Sequence, residues 1–191
     1  MAMSYAVSAI PESAVPRASS PIFQHLLDTY AGEISKVASV WSCFAAEDLE
    51  FRIHPRSGTV RDILKHQLLS ERRFFAEFLG FPEPPPAELL PKEETLDAFR
   101  RRLCDLAQAR LARIADRPPE WWLERVPFFD VVRERIWIFW RRVLHTAHHR
   151  TQLTVYLRML NKAVPPTYGP TADVSWIGAD PTTSVGAAGR P

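Results

Sequence analysis

The sequence predicts an all-α fold, a four-helix bundle with irregular arms at both termini. Three observations carry this prediction. Four long segments repeat apolar residues at intervals of three and four, the period of a helix with one buried face. Glycine is scarce (7) and proline plentiful (17), and the prolines gather between the periodic segments, where they break helices and stiffen connectors. The 191 residues suffice for one sizeable core and fall short of two ordinary domains.

Residues 1–19, rich in Ala, Ser and Pro, read as a flexible arm ahead of a bundle over 20–173. Ser20 is a candidate cap, with Pro21 at the first helical position, where its missing N–H costs nothing. A first helix over 21–46 carries Phe23, Leu26, Leu27, Tyr30, Ile34, Val37, Trp41 and Phe44 on one face. After a connector with Pro55 and Gly58, Thr59 caps a second helix over 60–79, with Asp62 where the helix dipole favours it. Gly80 ends that helix, and the proline-rich 82–91 stretch reads as irregular. A third helix over 93–115 stops at Pro118-Pro119. Residues 120–131 are aromatic and irregular, with room for a helical turn or a strand-like piece, and a fourth helix runs over 132–160. Residues 174–191 read as an extended tail.

Composition narrows the function classes. Hydrophobic content of 46% and charged content of 24% suit a soluble globular protein. A net charge of only +2 creates no global field for nucleic acid or an anionic membrane. No apolar run approaches the ~20 residues that span a bilayer, and residues 1–20 lack the basic start and apolar stretch of an export signal. Cys43 and Cys104, the only cysteines, sit among apolar helical neighbours and read as buried free thiols. A cytoplasmic protein is expected.

Chemistry concentrates in the run His145-Thr146-Ala147-His148-His149-Arg150-Thr151-Gln152, which holds three of the six histidines. His145 and His149 are four apart on the fourth helix and share one face, about 40° apart. Gln152 and Tyr156 fall on the same face, with Arg141 and Arg142 on its flanks. Polar groups on an inward face need partners, and a divalent metal ion would satisfy both imidazoles. A third ligand is then required from His25, His54 or His66. His54 precedes Pro55 in a connector and His25 lies near a helix start, whereas His66 is mid-helix on the flank of an apolar face. Three neutral nitrogens from His66, His145 and His149 leave one coordination position for water or substrate. Asp62, one turn before His66, is a candidate acceptor for its second ring N–H. His148 points to the other side of His145 and is assigned a surface or outer role. Gln152 is a candidate to orient a ligand, and Arg141 or Arg142 to attract a substrate carboxylate. The alternatives are hydrogen-bonded histidines at the core edge, a solvated arginine pair, and a buried amide bonded to the facing helix.

Sequence motifs add to this reading. Thr59-Val60-Arg61-Asp62-Ile63-Leu64-Lys65-His66, followed by Glu71, resembles the second-helix signature of the DinB/YfiT-like family. His145–Gln152 resembles its "H-x-x-H-H-R-G-Q" element, and Tyr168-Gly169-Pro170-Thr171-Ala172-Asp173 resembles its ending. The resemblance spans residues 20–173 and implies an up-up-down-down bundle, often dimeric. It also implies a divalent ion (nickel or zinc, with manganese or iron as alternatives) on His66, His145 and His149. Relatives transfer low-molecular-weight thiols to electrophiles or look like metal-dependent hydrolases. Thr151 stands where the family usually has glycine, which puts helix packing or substrate access in question.

Three functions compete. The first is an enzyme whose metal activates a thiol or water toward a small-molecule substrate. The second is a nucleic-acid module using Arg100, Arg101, Arg102, Arg110 and Arg113, a stripe so interleaved with acidic residues that a salt-laced solvent face is expected instead. The third is a helical homodimer with a structural metal, suggested by the aromatic surface of Phe128, Phe129, Trp137, Phe139 and Trp140. No Ser/His/Asp arrangement and no Gly-rich phosphate loop is present.

Overall fold

The structure, a computed structural model, describes residues 9–169 and 171–173. The tail expected over 174–191 lies outside the described residues, as do residues 1–8 of the arm. The elements are α1 Gln24–Trp41, α2 Val60–Arg73, α3 Pro86–Leu89, α4 Leu96–Ala115, α5 Pro119–Leu123, β1 Arg125–Phe128, β2 Val131–Glu134 and α6 Arg135–Met159. α1, α2, α4 and α6 are the four helices that the sequence predicts. They enclose a core that includes Leu26, Ile34, Trp41, Leu64, Leu68, Phe75, Phe99, Phe139 and Leu153.

Local chemistry explains the element ends. Thr59 caps α2, its hydroxyl accepting from the Asp62 N–H at 3.1 Å while Asp62 Oδ2 accepts from the Thr59 N–H at 2.9 Å. α4 begins at Leu96 rather than 93 because Thr95 takes the cap, its hydroxyl accepting from the Ala98 N–H. α1 stops at Trp41, short of 46. The Ser39 and Ser42 hydroxyls bond back to backbone carbonyls, and Asp48 Oδ2 accepts from the Ala45 N–H at 2.6 Å, starting a 3-10 turn at Ala46–Glu50. Ser20 precedes a 3-10 turn at Pro21–Phe23 and makes no side-chain cap. α2 loosens at its end into a π-helical turn, Phe74–Phe78, closed by Gly80 at φ +74°.

Three expectations need correction. Within the proline-rich segment, Pro86–Leu89 forms one helical turn, started by proline at its first position. The fourth helix begins at Arg135, not 132, because β2 pairs antiparallel with β1, Phe128 opposite Val131. The hairpin turn puts Phe129 at φ +53°, a left-handed conformation held by contacts of its ring with Phe78 and Phe128. The arm is not loose over 9–19. Ile10 is buried and its N–H bonds Ser35 Oγ, while Ser19 N–H reaches the Ala115 carbonyl at 2.7 Å.

The helix directions also differ from the up-up-down-down order. Going down α1, Tyr30 meets Glu71 and Trp41 meets Gln67, so α2 runs opposite to α1. α4 does too, since Ser19 meets Ala115 while Ser42 and Asp97 border one cavity at the other end. α6 runs with α1, as His25 stacks on Trp140 and Glu33 pairs with Arg150. The order is up, down, down, up. Parallel α2 and α4 require a connector that returns along the bundle, and residues 79–95 provide it. Arg113 bonds the Pro82 carbonyl, Arg110 bonds Glu83 at 2.6 and 3.1 Å, and Arg102 bonds the Leu89 carbonyl at 2.7 Å. Arg102, Arg110 and Arg113 of the basic stripe are therefore clamps on this connector, whereas Arg100 pairs with Asp97 at 3.0 Å within α4 and Arg101 is exposed. Arg110, expected on a solvent face, is 1% exposed and lies 3.3 Å from Glu71 as well.

Arg110→Met leaves Glu71 and Glu83 buried without their closest cation. A loss of about 3–5 kcal/mol is expected, read as a fall in the urea unfolding midpoint.

Candidate metal centre

α2 and α6 build the site between them. Their register is set at three heights: Tyr156 Oη donates to the Gly58 carbonyl (2.8 Å), Gln67 Nε2 to the Thr146 carbonyl (3.5 Å), and Arg142 Nη1 to Ser70 Oγ (2.9 Å). The paired numbers rise on one side as they fall on the other, so the two helices are antiparallel. His66, between the levels of Gln67 and Gly58, is thereby carried to the pair of imidazoles that the four-residue spacing places on one face of α6.

The three rings converge. Nitrogen atoms of His66, His145 and His149 all lie within 4.8 Å of one another. His145 Nε2 and His149 Nε2 are 3.1 Å apart, and the His66 ring centroid is 5.4 and 4.6 Å from those of His145 and His149. Ligands at ~2.0–2.1 Å from a tetrahedral ion have nitrogens roughly 3.3 Å apart, so the donor set fits a divalent metal. His66 is exposed while the other two are half-buried, which leaves one side open. Phe74, carried by the π turn, stacks 6.3 Å from the His145 ring and closes another side.

The electrostatics keep these rings neutral. Burial pulls His145 down to about 3, helped by the Arg142 cation and then by the two neighbouring histidines. Burial, with the same guanidinium, lowers His66; burial also outweighs the Gln152 hydrogen bond to lower His149. Neutral imidazoles keep the lone pair that a metal needs.

The remaining sequence candidates divide. Gln152 touches the site, its Oε1 2.9 Å from His149 Nδ1. Asp62 does not: its carboxylate closes the α2 cap, and the Thr59 hydrogen bonds hold it below the usual carboxylate range. His148 is exposed, its ring 4.9 Å from that of His149, as an outer group should be. Arg141 is exposed, and its charge adds only a minor part to the lowering of His145. Arg142 is 1% exposed and faces His145 Nδ1 at 2.9 Å, so it cannot greet a substrate carboxylate. His54 accepts from the Arg56 N–H and His25 stays by the Ile22 carbonyl, both away from the cluster. Tyr30 and Tyr156 are core aromatics with bonded hydroxyls. Thr151 is exposed on the outer side of α6 and crowds no packed helix. Sequence reasoning missed Ser70, 3.4 Å from His145 Nδ1. Its only signal was position, one turn after His66 on the same face.

Residues 18–176 match the profile of the DinB family. The chain belongs to that family. Two solved DinB-like proteins share the fold: one from Bacillus cereus ATCC 10987 (TM-score 0.62, 16% identity, covering 74% of this chain and 94% of that one), and YjoA from Bacillus subtilis (TM-score 0.59, 14% identity, 74% and 96%). A search of curated proteins gave no match. Among the described residues no helix is long and apolar enough to cross a membrane. The DinB match covers the whole bundle, including all three histidines and both helices that carry them.

A folded-state value near 3 for His145 against an ordinary ~6.5 in the unfolded chain means that the unfolded state binds more protons between those limits. Stability of the metal-free protein therefore falls as pH drops from about 6.5 toward 3, and His145 contributes no slope above that window. Urea midpoints measured across pH 4–7 should decline less steeply in His145→Gln than in the wild type.

Proposed function

We propose that His66, His145 and His149 hold one divalent metal ion, nickel or zinc, in an enzyme that transfers a low-molecular-weight thiol to electrophilic small molecules. The observation that supports it is the convergence of three neutral imidazoles with nothing else in the set: among the described residues no carboxylate or cysteine joins the cluster. A structural ion ordinarily closes its shell with four protein ligands, whereas three plus an open side is the catalytic arrangement. A divalent ion there supplies a Lewis acid, which favours thiolate over thiol and hydroxide over water near neutral pH.

The chain's own residues favour an anionic occupant of the open side. The imidazoles bring no charge, and Arg142 adds a buried cation that among the described residues touches hydroxyls and an imidazole, with Glu71 acting on it only from a distance. Gln152 holds His149 Nδ1, which fixes the ring with Nε2 toward the cluster. Phe74 shields one side from water. Thiolate and hydroxide both satisfy this charge requirement, and the family resemblance favours the thiol. Association with a second copy belongs to the same reading, through Phe129, Trp137, Leu144, Val155 and Met159. These are exposed, whereas Phe128 and Phe139, expected on that surface, are buried.

Protein purified without added metal should retain about one equivalent by elemental analysis, and His149→Ala should lose it. Retained stoichiometric metal in that variant contradicts the ligand assignment. Thiols and electrophiles assayed with nickel, zinc and manganese should give metal-dependent conjugation. Hydrolysis without thiol consumption would replace transfer with the hydrolase reading.

A further inference from the structure

We propose that Ser70 and Arg142 act in opposition on His145. Ser70 orients the ring to bind a metal, and Arg142 holds it in the tautomer that does not. The inference rests on the metal reading above and concerns how that site is controlled.

A guanidinium is a donor only. Arg142 Nη1 lies 2.9 Å from His145 Nδ1, so in this arrangement Nδ1 offers its lone pair and the proton of the neutral ring is on Nε2. That proton faces His149 Nε2 at 3.1 Å, which must accept it. His149 then carries its own proton on Nδ1, 2.9 Å from Gln152 Oε1. The chain Arg142 to His145 to His149 to Gln152 thus has one direction throughout, with a donor facing an acceptor at each of its three links.

The two ligands of α6 are consequently unequal. His149 already directs an Nε2 lone pair into the cluster. His145 directs a proton there, and becomes a ligand only when a proton leaves Nε2 and another arrives at Nδ1. The ring stays neutral and no net proton is gained or lost. An Nδ1–H needs an acceptor, which the guanidinium cannot be. Ser70 Oγ, 3.4 Å from Nδ1, can be. A hydroxyl accepts two hydrogen bonds, so Ser70 can receive this proton and keep the bond from Arg142 Nη1 at 2.9 Å. Arg142 also stays anchored through Nη2 to Thr146 Oγ1 at 2.9 Å. Ser70 is a positioning residue: it acts on the metal through His145.

The test uses the full chain labelled with ¹⁵N-histidine, in two-bond ¹H–¹⁵N imidazole spectra with and without one equivalent of zinc, beside zinc affinity by competition with a chelator. Without metal, His145 should be protonated at Nε2 and His149 at Nδ1. With zinc, the His145 proton should be found at Nδ1. Ser70→Ala should weaken zinc binding about 10–100-fold, Ser70→Thr should restore it, and Arg142→Gln should tighten it. Equal affinity in wild type, Ser70→Ala and Ser70→Thr overturns the proposal. So does His145 protonated at Nδ1 in the metal-free protein, a result readable even if the wild type took up no zinc and the metal reading itself had failed.

Discussion

The antiparallel register of α2 on α6 is the constraint on which the site depends. His145 and His149 share a face by helix geometry alone, but His66 joins them only at one relative height of the two helices. Tyr156 on the Gly58 carbonyl, Gln67 on the Thr146 carbonyl and Arg142 on Ser70 fix that height. A slip of one helical turn, about 5.4 Å, would carry His66 beyond reach. Each of the three bonds is also inside the bundle, where leaving a partner unsatisfied is expensive. The site's geometry is therefore a by-product of satisfying buried polar groups.

Two buried arginines show how the same residue type does different work. Arg110 is matched by Glu83 and Glu71, and fastens the returning connector to α4 and α2. Its charge is spent inside the fold, and burial is outweighed by those carboxylates, which raise its pKa. Arg142 has hydroxyls and an imidazole for partners, and burial lowers its pKa. A buried cation that Glu71 steadies only from a distance, with no carboxylate in contact among the described residues, is costly for stability. It helps to hold the His145 and His66 rings neutral, and its hydrogen bond falls on the outer nitrogen of His145.

Much of the molecule was legible in the sequence because the signals are local. The four apolar stripes, the Thr59 and Gly80 boundaries and the four-residue histidine spacing all follow from helical period and capping chemistry. His66 was reachable by elimination, since His54 precedes a proline and His25 starts a helix. What stayed hidden depends on partners remote in the chain. Helix direction follows from where residues 82–89 lie along α4, which the Arg102, Arg110 and Arg113 side chains decide from α4 positions that read as solvent-facing. Asp62 had two uses open to it, and the cap won because Thr59 is adjacent. Ser70 carries no motif, and its importance lies in a neighbour 72 residues away, Arg142. The helical turn and strand-like piece allowed for over 120–131 are α5 and β1, but the pairing with β2 stayed hidden because Phe129 occupies a left-handed turn position that glycine or asparagine would ordinarily announce.

The claim that organises this account is that the three histidines form one metal centre with an open position. X-ray absorption at the edge of the bound metal, on protein loaded with one equivalent of zinc or nickel, examines it directly. The account predicts the multiple-scattering pattern of three imidazoles at ~2.0–2.1 Å, plus light-atom scattering from solvent that changes when a small thiol is added. A shell closed by protein sulfur, or one with fewer than three imidazoles, would contradict it.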